Sequence, residues 1–225
     1  MKISVSVMCM DYKDMGRQFE LLNDFTDAYH WDVMDGNYVP NLSLNLDMLK
    51  TLSPVIHKPI HAHLMVTRPQ DYVEHLIELG VSEISLHIDT VSRQMFRLMN
   101  LAEEAGVAVG AVLNPMETID SLQYVLGRLA SVTVMTVDPG FAGQKFIPEM
   151  LDKIAALKEL KLKQGYKYEI EVDGSVNPRT FERLMDAGAE RFVLGSSGLF
   201  TLGATLEEAI AVARSFIPFK NSSKV

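Results

Sequence analysis

Short runs of valine, isoleucine and leucine recur along the chain, and between them the apolar residues fall at every third or fourth position. The first pattern reads as strands covered on both faces. It predicts strands over 3–8, 29–34, 60–65, 83–87, 108–113, 131–137, 168–172 and 191–194. The second predicts helices. One opens near Asp14, an acid suited to a helix N-terminus, and carries Met15, Phe19, Leu22 and Phe25 at helical spacing. Others fall over 69–79, 92–104, 148–163, 178–187 and 206–216, with Gly80, Gly106 and Gly188 as stops behind three helices. Eight strands alternating with about eight helices, roughly 25–30 residues apart, predict an α/β fold, a (β/α)8 TIM barrel. An open doubly wound sheet would carry a glycine-rich fingerprint after its first strand, whereas Met8-Cys9-Met10-Asp11 stands there. With no linker or low-complexity stretch in view, residues 1–220 are expected to form one barrel domain and 221–225 a short polar tail.

Composition narrows this picture without changing it. The 225 residues suit one barrel, and a hydrophobic share of 48% is enough for a sizeable core. A formal net charge of -8 argues against an extended nucleic-acid surface, which carries a basic excess. A small anionic substrate stays compatible with it, since backbone amides and a metal can hold an anion. The one cysteine, Cys9, excludes an internal disulfide and suits a reducing, cytoplasmic setting. The N-terminal apolar run stops at Asp11 and begins inside a strand, so no signal peptide is expected. No apolar run approaches the ~20 residues of a membrane helix.

In a barrel the chemistry belongs at the C-terminal ends of the strands. Those positions hold Ser6, His30, Asp32, His63, His87, Asn114, Asp138 and Asp173, against strand centres that read as mainly aliphatic. Side chains alternate along a strand, so His30, Asp32 and Met34 share one face and Trp31 and Val33 the other. Asp35 has the opposite parity and reads as a turn residue with Gly36. His61, His63 and Met65 share a face of the third strand. His63, nearer the exit, is the better ligand candidate, and His61 reads as a satisfied core histidine. Asp173 leaves the seventh strand with Gly174 behind it. His30, Asp32, His63 and Asp173, with His63 on a neighbouring stave and Asp173 on an opposite one, form a two-histidine, two-carboxylate set. Such a set suits one divalent metal ion (zinc, manganese, cobalt or iron, with magnesium also admissible). A hydrogen-bonded polar rim is the other reading.

Two glycine-bearing loops form a second constellation. Pro139-Gly140-Phe141-Ala142-Gly143-Gln144 follows the sixth strand and Gly195-Ser196-Ser197-Gly198 the eighth. With Gly174-Ser175 after the seventh, they offer backbone N–H groups to a phosphate; each alone also serves as a plain turn. No lysine stands at a strand exit for a Schiff base, and no Gly-x-Ser-x-Gly elbow is present. Cys9 reads as a packing residue rather than a nucleophile.

Residues 3–6, 30–41, 61–66, 135–144, 171–175 and 195–200 together resemble the ribulose-phosphate 3-epimerase family. Within it, the stretches 64–72, 137–144 and 171–175 look most like the branch that acts on D-allulose 6-phosphate. The resemblance implies a metal held by His30, Asp32, His63 and Asp173, with Asp32 and Asp173 also the acid/base pair. It places Ser6 and His63 against the substrate. It places the phosphate in the last loops, at Gly140, Phe141, Ala142, Gly143, Gly174, Ser175, Gly195 and Ser196. Met34, Met65 and Met135 would line the site, soft core filling being their other reading. The implied activity is metal-dependent 3-epimerisation of a phosphorylated ketose through an enediolate, D-allulose 6-phosphate to D-fructose 6-phosphate. D-Ribulose 5-phosphate is the alternative substrate, and a non-catalytic sugar-phosphate-binding barrel the alternative of another class. The family also implies a homo-oligomer, while the acidic charge and the lack of a membrane-length apolar run leave no nucleic-acid or membrane partner expected. The chain departs from the pattern at Val5 (usually proline), Trp31 (usually a smaller apolar residue) and Asn37 (commonly histidine). Ala142 and Ser175 stand where pentulose-phosphate enzymes more often carry a second glycine.

Overall fold

Outward-facing residues of the predicted strands are almost all aliphatic or aromatic, and each needs a helix to cover it. Val5, Trp31, Ala62, Leu64, Ala111, Val132, Val134, Val172, Phe192 and Leu194 are all fully buried. Removing side chains of this size from water stabilises the fold by roughly 1.5–3 kcal/mol each for the larger ones. The computed structural model, which describes residues 1–218, closes these strands into a parallel barrel. Its strands are β1 (Lys2–Ser6), β2 (Ala28–Met34), β3 (Ile60–Met65), β4 (Glu83–His87), β5 (Ala108–Leu113), β6 (Ser131–Met135), β7 (Glu169–Asp173) and β8 (Arg191–Leu194). Each pairs with the next, and β8 pairs with β1. The TIM-barrel expectation holds, while the expected tail at 221–225 lies outside the described residues.

The helices are α1 (Met15–Leu22), α2 (Leu46–Leu52), α3 (Val73–Glu78), α4 (Ile88–Val91), α5 (Met95–Glu104), α6 (Met150–Gln164), α7 (Phe181–Ala187) and α8 (Leu206–Phe216). Their distribution is uneven. Two helices follow β4, whereas β5 is followed only by a 3-10 turn over Ile119–Leu122. β1 stops two residues short of its predicted end, because Val7–Cys9 coils into a 3-10 turn. β6 likewise ends at Met135, two residues before its predicted end at 137. β7 runs one residue later than predicted, and the Tyr168 hydroxyl is tied instead to the Leu157 carbonyl at 2.8 Å.

The expectation of mainly aliphatic strand centres fails on the inner face. Arg191 of β8 donates from Nη1 to Glu83 of β4 at 2.8 Å, and its Nε lies 3.0 Å from Glu171 Oε2. β4 and β8 lie on opposite sides of the barrel, so this contact runs through the interior. Ser131 donates to Glu83 at 2.5 Å, Thr133 donates to Glu171 at 2.9 Å, and Arg191 Nη2 meets His61 Nδ1. His61 is thus a satisfied core histidine, as expected, but its partner is an ion-pair layer. Strand alternation sends the aliphatic set outward to the helices and leaves the inner layers to polar groups.

Candidate active site

One layer above the ion pairs, β2 delivers His30 and Asp32 two residues apart, and β3 sets His63 in register with Asp32. β7 ends on Asp173. It stands three strands from β2 by way of β8 and β1, rather than directly opposite, and its side chain reaches the cluster across the barrel mouth. His30 Nε2 and His63 Nδ1 are 3.1 Å apart. Each lies 3.2 Å from Asp32 Oδ1, and they lie 3.4 and 3.5 Å from Asp173 Oδ2. The four ligand atoms all fall within 4.8 Å of one another. Donors placed tetrahedrally around an ion at about 2.0–2.1 Å stand about 3.3–3.4 Å apart, so the spacing suits one shared cation.

The electrostatics agree. Burial disfavours a charge on His30, yet Asp32 and Asp173 raise its pKa well above the ordinary imidazole value. Burial likewise opposes ionisation of Asp32, but His30 and His63 hold its carboxyl well below the usual range. Two carboxylates this deep call for positive charge between them, which a divalent ion supplies.

Neighbouring groups fix the orientation of the cluster. Ser6 donates to Asp32 Oδ2 at 3.0 Å, leaving Oδ1 to face the imidazoles. His63 Nε2 lies 2.8 Å from His87 Nε2, so both of its ring nitrogens are engaged and neither is left for a sugar hydroxyl. Asp35 is the turn residue its parity predicts. Burial works against its charge, but backbone N–H groups of Thr67, Tyr38 and Asn37 hold its pKa down to about 2.

Above the cluster opens a cleft with Ser6, Asp32 and Asp173 at its floor. Asp32 is buried, while the Asp173 side chain keeps 18% of its surface exposed. Met34, Met65 and Met135 line it. They belong to two small apolar clusters separate from the main core, which makes them walls of the cleft rather than core filler. All three glycine-bearing loops reach it, with Gly140, Phe141, Ala142 and Gly143, then Gly174 and Ser175, then Gly195 and Ser196. Gly174 has φ 111°, and a Cβ there would come 2.5 Å from Val137 Cγ2, so only glycine fits. Asp138 lies on the rim, whereas Asn114 lies off the cleft and donates to the Tyr38 hydroxyl. Val5 and Trp31 point away from the cleft into the main core, as expected.

Sequence reasoning missed Met8, Val137, Val176 and Val193 as lining residues, and left Cys9 as packing alone. Met8 and Cys9 come from the 3-10 turn after β1, which has no apolar period to betray it. Burial and then Asp32 push the Cys9 thiol up to about 11, so it stays protonated and unreactive.

The sequence model described as the ribulose-phosphate 3 epimerase family matches residues 2–200. Ribulose-phosphate 3-epimerase of Synechocystis sp. is 36% identical over 197 residues, covering 87% of this chain and 86% of the relative. The Bacillus subtilis protein of that name is 35% identical over 198 residues, covering 87% and 91%. Among solved structures, 3-hexulose-6-phosphate synthase shares the fold with a TM-score of 0.66 at 15% identity, covering 96% of this chain and 100% of that one. The tryptophan synthase A-subunit of Pyrococcus furiosus does so with a TM-score of 0.66 at 14% identity, covering 95% and 94%.

Proposed function

From the premise that the chain belongs to the ribulose-phosphate 3-epimerase family, and is therefore an epimerase, we propose that it interconverts D-allulose 6-phosphate and D-fructose 6-phosphate. The observation that carries the chemistry is the meeting of Asp32 and Asp173, from two separate strands, on the same two imidazole nitrogens at the floor of one cleft. Inverting carbon 3 means removing a proton alpha to the ketose carbonyl and returning one on the opposite face. Two carboxylates do this without the sugar turning over. Asp32, held by Ser6, takes the proton; Asp173, the more open of the two, donates on the other face, and the roles exchange in reverse.

His30, Asp32, His63 and Asp173 would hold the divalent ion, which when bound supplies positive charge for the oxygens that become anionic. Backbone N–H groups of the loops at Gly140–Gly143, Gly174–Ser175 and Gly195–Ser196 receive the phosphate. The three methionines exclude water from the reacting carbon. His63 serves through the cluster, its two nitrogens being taken, while Ser6 stands at the floor where a sugar oxygen would lie.

The six-carbon substrate is supported by the rim sequences at 64–72, 137–144 and 171–175. The names of the relatives favour D-ribulose 5-phosphate as the second reading. Comparing kcat/KM for the two sugar phosphates decides between them, with the hexulose expected to win. Asp32→Asn and Asp173→Asn should each lower kcat by about 10²–10⁴-fold, the share of a positioned acid or base. Each should also lose solvent-deuterium uptake at carbon 3. Full activity with normal exchange in both variants sinks the mechanism, and binding without turnover in the parent protein would favour a non-catalytic sugar-phosphate barrel.

We place this activity in residues 1–220 of a homo-oligomer, which the family resemblance implies, and in the cytoplasm, which the lone Cys9 suits. No helix among the described residues is long and apolar enough to cross a membrane. Light scattering of the purified protein checks the assembly.

A further inference from the structure

His87, the last residue of β4, has no part in the mechanism above, yet it is bonded to one of the cluster's four members. Its side chain is fully buried, its Nε2 lies 2.8 Å from His63 Nε2, and the two rings meet tip to tip, centroids 5.0 Å apart and planes 24° from parallel. One proton, and no more, fits between two nitrogens at that distance. For His63 Nδ1 to face Asp32 and Asp173 as a lone pair, its proton must sit on Nε2. His87 Nε2 must then accept, and His87 carries its own proton on Nδ1.

The surroundings hold the His87 ring in place. Tyr38 covers its ring at a centroid distance of 4.8 Å. Tyr38 is pinned in turn, accepting from Asn114 Nδ2 at 2.6 Å and donating to Asp89 at 3.1 Å. His87 Nδ1 is buried and meets no hydrogen-bond partner among the described residues. A buried N–H of that kind opposes stability. An apolar ring would pack there at less cost, so packing alone does not account for a histidine.

From this geometry we infer that His87 is a positioning residue: it accepts the Nε2 proton of His63, fixes the tautomer and plane that turn Nδ1 inward, and so sets the affinity of the cluster for a divalent metal. The inference rests on the metal reading proposed above. Outer partners of this type govern metal affinity by about 10–100-fold where they have been removed.

The test strips the full-length protein of metal and titrates it with Zn²⁺ alone against a chromophoric chelator. Wild type is compared with His87→Phe, which keeps an aromatic ring under Tyr38 and loses the acceptor, and with His87→Gln, which restores an acceptor oxygen. Thermal unfolding of each metal-free form is followed in parallel. His87→Phe is expected to weaken Zn²⁺ binding about 10–100-fold while unfolding at or above the wild-type temperature. His87→Gln should recover most of the affinity. Independently of any variant, ¹⁵N spectra of the Zn²⁺-loaded wild type should show His63 protonated on Nε2 and His87 on Nδ1. Unchanged affinity in His87→Phe, equal weakness of the Phe and Gln variants, or the opposite pair of tautomers overturns the inference and leaves the metal reading standing. A wild type that binds no Zn²⁺ overturns both.

Discussion

Ser175 is the one residue other than glycine, among those described, with a positive φ, at 52°. Its turn is held from outside: the Ser175 carbonyl accepts from Asn177 Nδ2 and Thr180 Oγ1, each at 2.7 Å. A left-handed conformation costs an L-residue about 1–2 kcal/mol. Glycine would relieve that strain, but its looser unfolded chain takes back about 0.4–1 kcal/mol. The two effects largely cancel, so stability does not explain the serine. Its place on the cleft beside Gly174 does, since the hydroxyl adds a donor to the rim that glycine would not supply. Ser175→Gly is therefore expected to raise KM for the sugar phosphate about five-fold, the effect of one hydrogen bond of ~1 kcal/mol. The same change should leave kcat nearly unchanged and shift Tm by no more than about 2 °C; steady-state kinetics and a melting curve check both. The sequence marks Ser175 as a departure from the family pattern, but a backbone angle has no spelling in residues. Parity is better spelled. It separates Asp32 from its neighbour Asp35 before any coordinates, and the structure sends the first to the cluster and the second to a turn.

Among the elements, α8 was legible to the residue because its start is written in side chains. Thr205 accepts from the Glu208 N–H at 3.2 Å, and the Glu208 carboxylate accepts from the Ala204 N–H at 2.9 Å. Removing the Thr205 cap by Thr205→Ala should cost about 1 kcal/mol. In a chain of this size that lowers Tm by about 2–4 °C, with kcat/KM unaltered because α8 stands behind the barrel wall. A larger loss of activity than of stability would show that the cap also shapes the loop at Gly195–Ser196. α2 also has its start written in a side chain, Asn45 accepting from the Met48 N–H at 2.8 Å, but its seven residues bury only Leu49 and are too few for a clear period. After β5 the apolar residues Ile119, Leu122, Val125, Leu126 and Leu129 fall at helical spacing, yet the chain there forms only a 3-10 turn of four residues, with Leu122, Val125, Leu126 and Leu129 buried all the same. The helix predicted over 69–79 begins instead as a 3-10 turn over Pro69–Asp71, and the α-helix starts only at Val73, after Tyr72. Strand exits fared better. Six of the eight exits are predicted within one residue, and that is why the cluster residues could be named from sequence. The two exits misjudged, after β1 and β6, lead into loops that also line the cleft.

At the scale of the whole molecule, the barrel interior is a stack of polar layers inside an aliphatic wall, and the cluster is its uppermost layer. Glu169-Ile170-Glu171-Val172-Asp173 already alternates charged and apolar residues, yet a charged face in sequence reads as solvent-facing. Its true partners are Arg191 on the adjacent strand and, through Arg191, Glu83, which lies 108 residues away in sequence on the opposite side of the barrel. Contacts that distant are set by closure of the barrel and have no local trace. The layer is unbalanced: burial keeps His61 below its usual pKa, so one arginine faces two glutamates. Arg191→Leu would strand both carboxylates in the interior and is expected to cost at least about 3–5 kcal/mol. Glu171→Gln leaves the Arg191–Glu83 pair whole and should cost less, about 1–3 kcal/mol for a disturbed buried hydrogen bond. Urea unfolding of the metal-free protein at neutral pH should show that order, and equal costs would mean that Arg191 acts by packing alone. The pH dependence has a definite sign. Burial opposes the charge on Glu171, but Arg191 prevails and holds its pKa near 2, against an ordinary 4.5. A carboxylate depressed in the folded state contributes stability above its unfolded pKa and loses it as pH falls through its folded one. Wild-type stability should therefore decline from about pH 4.5 towards pH 2, and Glu171→Gln should flatten that decline. A variant with the wild-type slope would assign the acid sensitivity to the cluster above, whose carboxylates lie in the same interior one layer closer to solvent.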